Sequence, residues 1–181
     1  MIRLIAAILL LASGSFAAPP NTISLPDLAP LVSARGFTLV GPATARGALI
    51  WLHGSFSLDQ FPQGPPVQDW VSRLAGRGYD VWRLDRMPRQ DPLDAGGAKL
   101  LASLRAARAA GYRRVVVAGF SRGAFIGLSA LAYPELADAV AAISPAAHGA
   151  RPERKADALA AFQALMDAQQ RSEERRVGKE C

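Results

Sequence analysis

The stretch that most constrains this chain is Arg114-Val115-Val116-Val117-Ala118, running without a break into Gly119-Phe120-Ser121-Arg122-Gly123. Consecutive β-branched residues favour a strand. From Arg122 to Ala132 the apolar residues recur at helical spacing instead. A strand that becomes a helix this abruptly must turn sharply, and Ser121 at the corner takes a strained backbone. The same turn brings the helix hard against the strand, which only glycine and other small residues permit. Gly119 meets that demand on the strand side, and Gly123, Ala124 and Gly127 meet it on the helix side. The Ser121 hydroxyl then stands above the sheet at a helix N-terminus, where the dipole favours developing negative charge.

The rest of the chain supplies matching elements. Gly36 to Val40 reads as a short strand before a turn at Gly41-Pro42. Ala48 to Leu52 is a continuous apolar run ending at His53-Gly54, Tyr79 to Asp85 is a further strand, and Ala139 to Ser144 reads as a buried one. Gly64 to Pro66 opens a helix with Trp70, Val71 and Leu74 on one face, closed by Gly76 and Gly78. Lys99 to Ala110 is a helix with Leu100, Leu101, Leu104 and Ala107 opposite Arg105 and Arg108. Pro152 to Gln170 is a last helix, its apolar side formed by Leu159, Phe162, Leu165 and Met166. Short apolar strands alternating with helices predict βαβ units: an α/β three-layer sandwich on a mainly parallel sheet.

Both ends fall outside that pattern. Arg3, the uncharged run Leu4 to Ala12 and the small residues of Ser15-Phe16-Ala17 form a secretory signal, residues 1–17, cleaved after Ala17. The run is about half the ~20 apolar residues a membrane span needs, so stable membrane insertion is not expected. The expected location is secreted or periplasmic. Residues 18–35 are an extended Pro- and Ser-rich lead-in, and 36–170 the folded domain. Residues 171–181, RSEERRVGKEC, read either as a disordered charged tail or as non-native. In one frame they are the translation of a DNA string resembling a common sequencing adapter. On the second reading the natural gene continues past Gln170. The net charge of +6 comes from scattered arginines, not from a basic stripe with interleaved aromatics, so nucleic acid is not an expected partner. Cys181 is the only cysteine, so the fold rests on its core and not on disulfides.

Gly119-Phe120-Ser121-Arg122-Gly123 fits G-x-S-x-G between a strand and a helix, and His53-Gly54-Ser55 follows an apolar strand. On these two motifs, residues 36–170 resemble the α/β-hydrolases, of the dienelactone-hydrolase or small-esterase kind. The segment Arg77 to Asp85 also resembles the approach to that family's fourth strand. The resemblance implies that Ser121 is a nucleophile in an elbow built on Gly119 and Gly123. The amide of Arg122 would be one oxyanion donor and that of Ser55, or else Phe56, the other. His53 would orient its loop and not act as the base. No metal and no organic cofactor are implied.

The family's acid and base follow the nucleophile in sequence, after its seventh and eighth strands. Ala139 to Ser144 corresponds to the sixth strand, so the expected fold is incomplete, lacking the last strands, and the triad acid and base lie beyond this chain. His148 comes too early to be the usual base, and Asp157 and Asp167 read as solvated helix charges. Strand order would leave Ala139 to Ser144 at an edge, so residues 18–170 alone are expected to aggregate and to be inactive. The expected function is hydrolysis of an ester or related acyl bond on a small molecule. Thioesterase, peptidase and acyltransferase chemistry stay open, as does a non-catalytic binding protein on the same scaffold. Phe56 and Phe61, in the loop 55–67, line an acyl pocket or pack as ordinary loop residues.

Overall fold

A computed structural model describes residues 28–56, 61, 64–86, 92–147 and 155–180. The proposed signal segment, His148 and the side chain of Asp157 lie outside the described residues. Five strands form one sheet: β1 (Leu31–Ser33), β2 (Gly47–Leu52), β3 (Tyr79–Leu84), β4 (Val115–Phe120) and β5 (Ala139–Ile143). Their order is β1-β3-β2-β4-β5, with β1 antiparallel to β3 and every other pair parallel. Helices α1 (Asp69–Ala75), α2 (Leu93–Ala109), α3 (Arg122–Leu128) and α4 (Lys155–Glu180) connect or follow the strands, and a 3₁₀ turn, Ser129–Ala132, extends α3.

The period of two along the strands divides the core into two layers. Ala48, Ile50 and Leu52 of β2 and Val115 and Val117 of β4 face Leu100 and Leu104 of α2 and Ile126 of α3. Leu49 and Trp51 of β2, Val81 of β3 and Ala118 of β4 face Val71 of α1 on the other side. β2 is buried along its whole length because it lies at the centre of the sheet with helices on both faces. The expected three-layer α/β sandwich is the observed architecture.

Gly36 to Val40 is not a strand. Gly36 takes φ +83°, and the amides of Val40 and Gly41 donate to the Asp80 carboxylate at 2.8 and 2.9 Å, not to a neighbouring strand. Leu39 and Val40 are apolar because they pack on the α2 side of the core. The antiparallel strand is β1, so the fold includes Leu28 to Arg35, part of the expected lead-in. Asp80 is buried and also accepts from the Tyr112 hydroxyl at 2.6 Å, which in turn accepts from Trp82 Nε1 at 3.2 Å. Burial, and then the hydrogen bond to Asp80, push the Tyr112 phenol above its usual range.

Two helices also differ from expectation. α2 begins at Leu93, six residues before Lys99, because Gly96 is no breaker there: it lets Ile126 of α3 pack against the α2 backbone. α4 continues to Glu180, so residues 171–180 are helical. Its inward residues are Ala158, Ala161, Leu165 and Ala168, whereas Leu159, Phe162 and Met166 are exposed. β5 lies where the sequence places it, pairing among the described residues with β4 alone. Val140 packs on the α2–α3 side of the core, whereas Ala139 and Ala141, on the opposite face, are exposed. No helix among the described residues is long and apolar enough to cross a membrane.

Candidate active site

The register aligns the carboxyl ends of the parallel strands, so their outgoing loops meet at one edge. Leu52 of β2 pairs with Gly119 of β4, and Phe120 pairs with Ile143 of β5. The loops that leave these ends carry His53-Gly54-Ser55, Ser121 and Pro145 to Ala147. Ligands of open parallel sheets bind at this edge.

Ser121 occupies the corner between β4 and α3 with φ 53° and ψ −121°. That conformation costs a non-glycine residue about 1–3 kcal/mol unless its surroundings hold it. Three backbone hydrogen bonds do so. Ser121 N–H donates to Ile143 O at 3.0 Å, and its carbonyl accepts from Phe125 and Ala146, each at 3.1 Å. Steric room is equally determined. A Cβ on Gly119 would lie 2.7 Å from Ala124 N and from the Gly123 carbonyl. One on Gly123 would lie 2.6 Å from the Leu52 carbonyl carbon, and nearer still to the oxygens of Leu52 and His53. At Gly119 and Gly123 the neighbouring backbone therefore leaves no room for a side chain.

The His53-Gly54 loop is packed on this corner. A Cβ on Gly54 would be 3.3 Å from Ser121 Cβ and 3.3 Å from Phe120 Cδ1. His53 is 3 % exposed; its Nδ1 lies 2.7 Å from Gly54 O, and Phe56 meets the ring edge to face at 4.8 Å. Phe56 thus packs against His53. Phe61 is half-buried, its carbonyl accepting from Gly64 N–H at 2.9 Å. Asp167 is an exposed α4 charge that accepts from Gln163 at 2.9 Å.

Two arginine side chains at this edge were not singled out by sequence reasoning. Arg86, just past β3 and 4 % exposed, donates from Nη2 to His53 O and lies 3.3 Å from His53 Nδ1. The Arg122 side chain, 5 % exposed, donates from Nη1 to Ala147 O and so holds the loop after β5 beside the corner. The signal for Arg86 was its place at the carboxyl end of a strand; for Arg122, its place next to Ser121. An apolar cleft of about 520 Å³ adjoins that loop, lined by Phe125, Pro145, Ala146, Ala158, Leu159 and Phe162, with Lys155 at its rim. Among the described residues no group of three or more His, Cys, Asp or Glu side chains could hold a metal ion.

A mainly parallel sheet in this order, carrying a serine in a left-handed conformation between β4 and α3, is the α/β-hydrolase fold. No protein-family model and no curated protein sequence matches the chain. Solved structures similar to it include Est1E from Butyrivibrio proteoclasticus, with 21% identity, TM-score 0.47, and coverage of 59% of this chain and 45% of that one. The mature form of the Bacillus licheniformis lipase BlEst2 has 23% identity and TM-score 0.42, covering 61% and 44%. The Pyrococcus furiosus esterase Pf2001 has 20% identity and TM-score 0.40, covering 56% and 42%. The chain spans less than half the length of each of these three structures.

Proposed function

We propose that this protein is a serine hydrolase acting on an ester or related acyl bond, a carboxylic ester most readily, with Ser121 as nucleophile. The observation that carries the reading is the strained φ of Ser121 at a strand-to-helix corner with the His53-Gly54 loop packed against it. In the proposed reaction the Ser121 oxygen attacks the substrate carbonyl, the bond to the leaving alcohol breaks and the alcohol departs with the proton that Ser121 gives up, leaving an acyl-enzyme. The backbone amides of Arg122 and Ser55 hold the developing oxyanion, and water then releases the acyl group. His53 is assigned to the loop and not to proton transfer, because its ring is buried against Phe56 with Nδ1 at Gly54 O. We assign no triad acid or base among the described residues. The N-terminal charge, apolar run and small residues support export to the periplasm or exterior.

The test uses the product of the complete gene. A fluorophosphonate should label Ser121, and Ser121→Ala should lose both the label and turnover of 4-nitrophenyl acetate. A label that persists in the Ala variant would remove Ser121 from the mechanism.

A further inference from the structure

The oxyanion site proposed above has one donor fixed by the helix, the Arg122 amide, and one carried by a loop, the Ser55 amide. A loop donor needs its own support, because a buried polar contact that is 1 Å out of place loses most of its catalytic effect. The residues around the loop supply that support through a short chain of contacts.

The parallel register of β2 and β3 pairs Trp51 with Arg83. Continuing both chains brings Arg86 alongside the His53-Gly54 turn, and its guanidinium donates to His53 O. The same carbonyl is blocked on its other side by α3, where Gly123 has no room for a Cβ. The first peptide of the loop is thus wedged between a cation and a helix. Arg86 acts on His53 through its carbonyl alone, since an Nδ1 that carries a proton does not accept from the Nη2 3.3 Å away. The His53 ring packs edge to face on Phe56. Held there, Nδ1 lies 2.7 Å from the Gly54 carbonyl and, with its proton on Nδ1, donates to it. In a planar trans peptide the C=O and N–H point in opposite directions. Fixing the Gly54 carbonyl on His53 therefore fixes the direction of the Ser55 N–H.

We propose that Arg86, acting through His53, is the positioning residue that sets the direction of the Ser55 amide in the oxyanion site. The proposal rests on the serine-hydrolase reading. Arg86 touches no substrate in this scheme, and its effect reaches the reaction only through the loop. Removing it should lower kcat and leave KM nearly unchanged, because a ground-state carbonyl uses the amide far less than the oxyanion does.

The experiment compares the complete protein with Arg86→Met and Arg86→Lys. Circular dichroism reports the fold, 4-nitrophenyl acetate the kinetics, and inhibition by a trifluoromethyl ketone the affinity for a tetrahedral adduct. Arg86→Met should lose about 10–100-fold in kcat at nearly constant KM, with a parallel loss of ketone affinity. Arg86→Lys keeps a cation that can still donate to His53 O and should recover part of both. If Arg86→Met does not fold, Arg86→Lys carries the test, with a smaller loss of the same pattern expected. Parent kcat together with parent ketone affinity in a folded variant overturns the proposal, as does a loss confined to stability or KM. Failure of the underlying reading looks different: the parent itself would take no fluorophosphonate at Ser121.

Discussion

A methyl group on Gly123 tests the closeness of α3 to β2 directly. The new Cβ would lie 2.6 Å from the Leu52 carbonyl carbon and nearer still to the oxygens of Leu52 and His53. All are backbone atoms, so no rotamer change relieves the contact. Carbon atoms rest comfortably at about 3.5–4.0 Å, so the helix must retreat from the strand by about 1 Å. Alanine would otherwise gain about 1 kcal/mol over glycine within a helix. Overpacking costs about 1–3 kcal/mol and more where backbone must move, so the steric effect wins and Gly123→Ala should lose about 1–2 kcal/mol. Gly97→Ala is the matched control. In α2 its Cβ would meet nothing nearer than Ser129 Oγ at 3.8 Å, so the helical gain stands alone. A 1 Å retreat also moves the corner, Ser121 with the Arg122 amide bonded to it, away from the His53-Gly54 loop, and the fluorophosphonate labelling rate should fall about 100-fold. Urea denaturation and labelling kinetics on both variants decide the matter. A Gly123→Ala protein as stable as its parent and labelled at the parent rate would refute the close approach on which the corner depends.

Ser121→Gly should abolish labelling yet raise stability by about 1 kcal/mol, because glycine relieves a strain of about 1–3 kcal/mol and costs up to about 1 kcal/mol in chain entropy. A lower urea midpoint would contradict the strain. The raised titration of Tyr112 makes stability fall in alkali: above pH ~10 the unfolded chain gives up a phenolic proton that the folded one keeps. That contribution is whole below pH ~10 and is lost as pH rises beyond it. Tyr112→Phe should flatten the alkaline limb of melting temperature against pH, while costing about 1–3 kcal/mol at neutral pH through the lost donor to Asp80; an unchanged limb would assign the alkaline loss to other groups. For the 181-residue chain expressed by itself, Ala141→Lys on the exposed face of β5 should reduce self-association in sedimentation velocity, since charge at an edge strand opposes pairing.

The parts of the fold that were legible in the sequence are those whose neighbours are dictated by local chemistry. Ala48 to Leu52 and Val115 to Ala118 are apolar on both faces, which suits central parallel strands and little else. The corner at Ser121 was legible because its sterics demand glycines at fixed offsets. What escaped was set by partners distant in sequence. Leu39 and Val40 look like strand residues, but a carboxylate 40 residues away takes the Val40 amide. The helix read from Lys99 in fact starts at Leu93, through Gly96, which Ile126 needs small for α2 to pack on α3. Alanine lines much of the inward side of α4, so the larger apolar residues misled the assignment of its face. Nothing local in the sequence distinguishes the side chains of Arg86 and Arg122, whose partners are the carbonyls of His53 and Ala147, 33 and 25 residues away.

Asp80 has a kinetic consequence. Its carboxylate gathers Val40 from 40 residues upstream and Tyr112 from 32 residues downstream. Closing a flexible loop of that length costs about 3 kcal/mol each time, comparable to the ~1.5–3 kcal/mol that one hydrogen bond to a charged group returns. The carboxylate therefore cannot recruit its partners in an open chain and must wait until β2, β3 and β4 are already side by side. Contacts completed after the rate-limiting step leave the folding rate nearly untouched and act on the rate of escape. Asp80 is thus expected to act as a latch: Asp80→Asn should leave the folding rate nearly unchanged and raise the unfolding rate, and an equal fall in the folding rate would refute this.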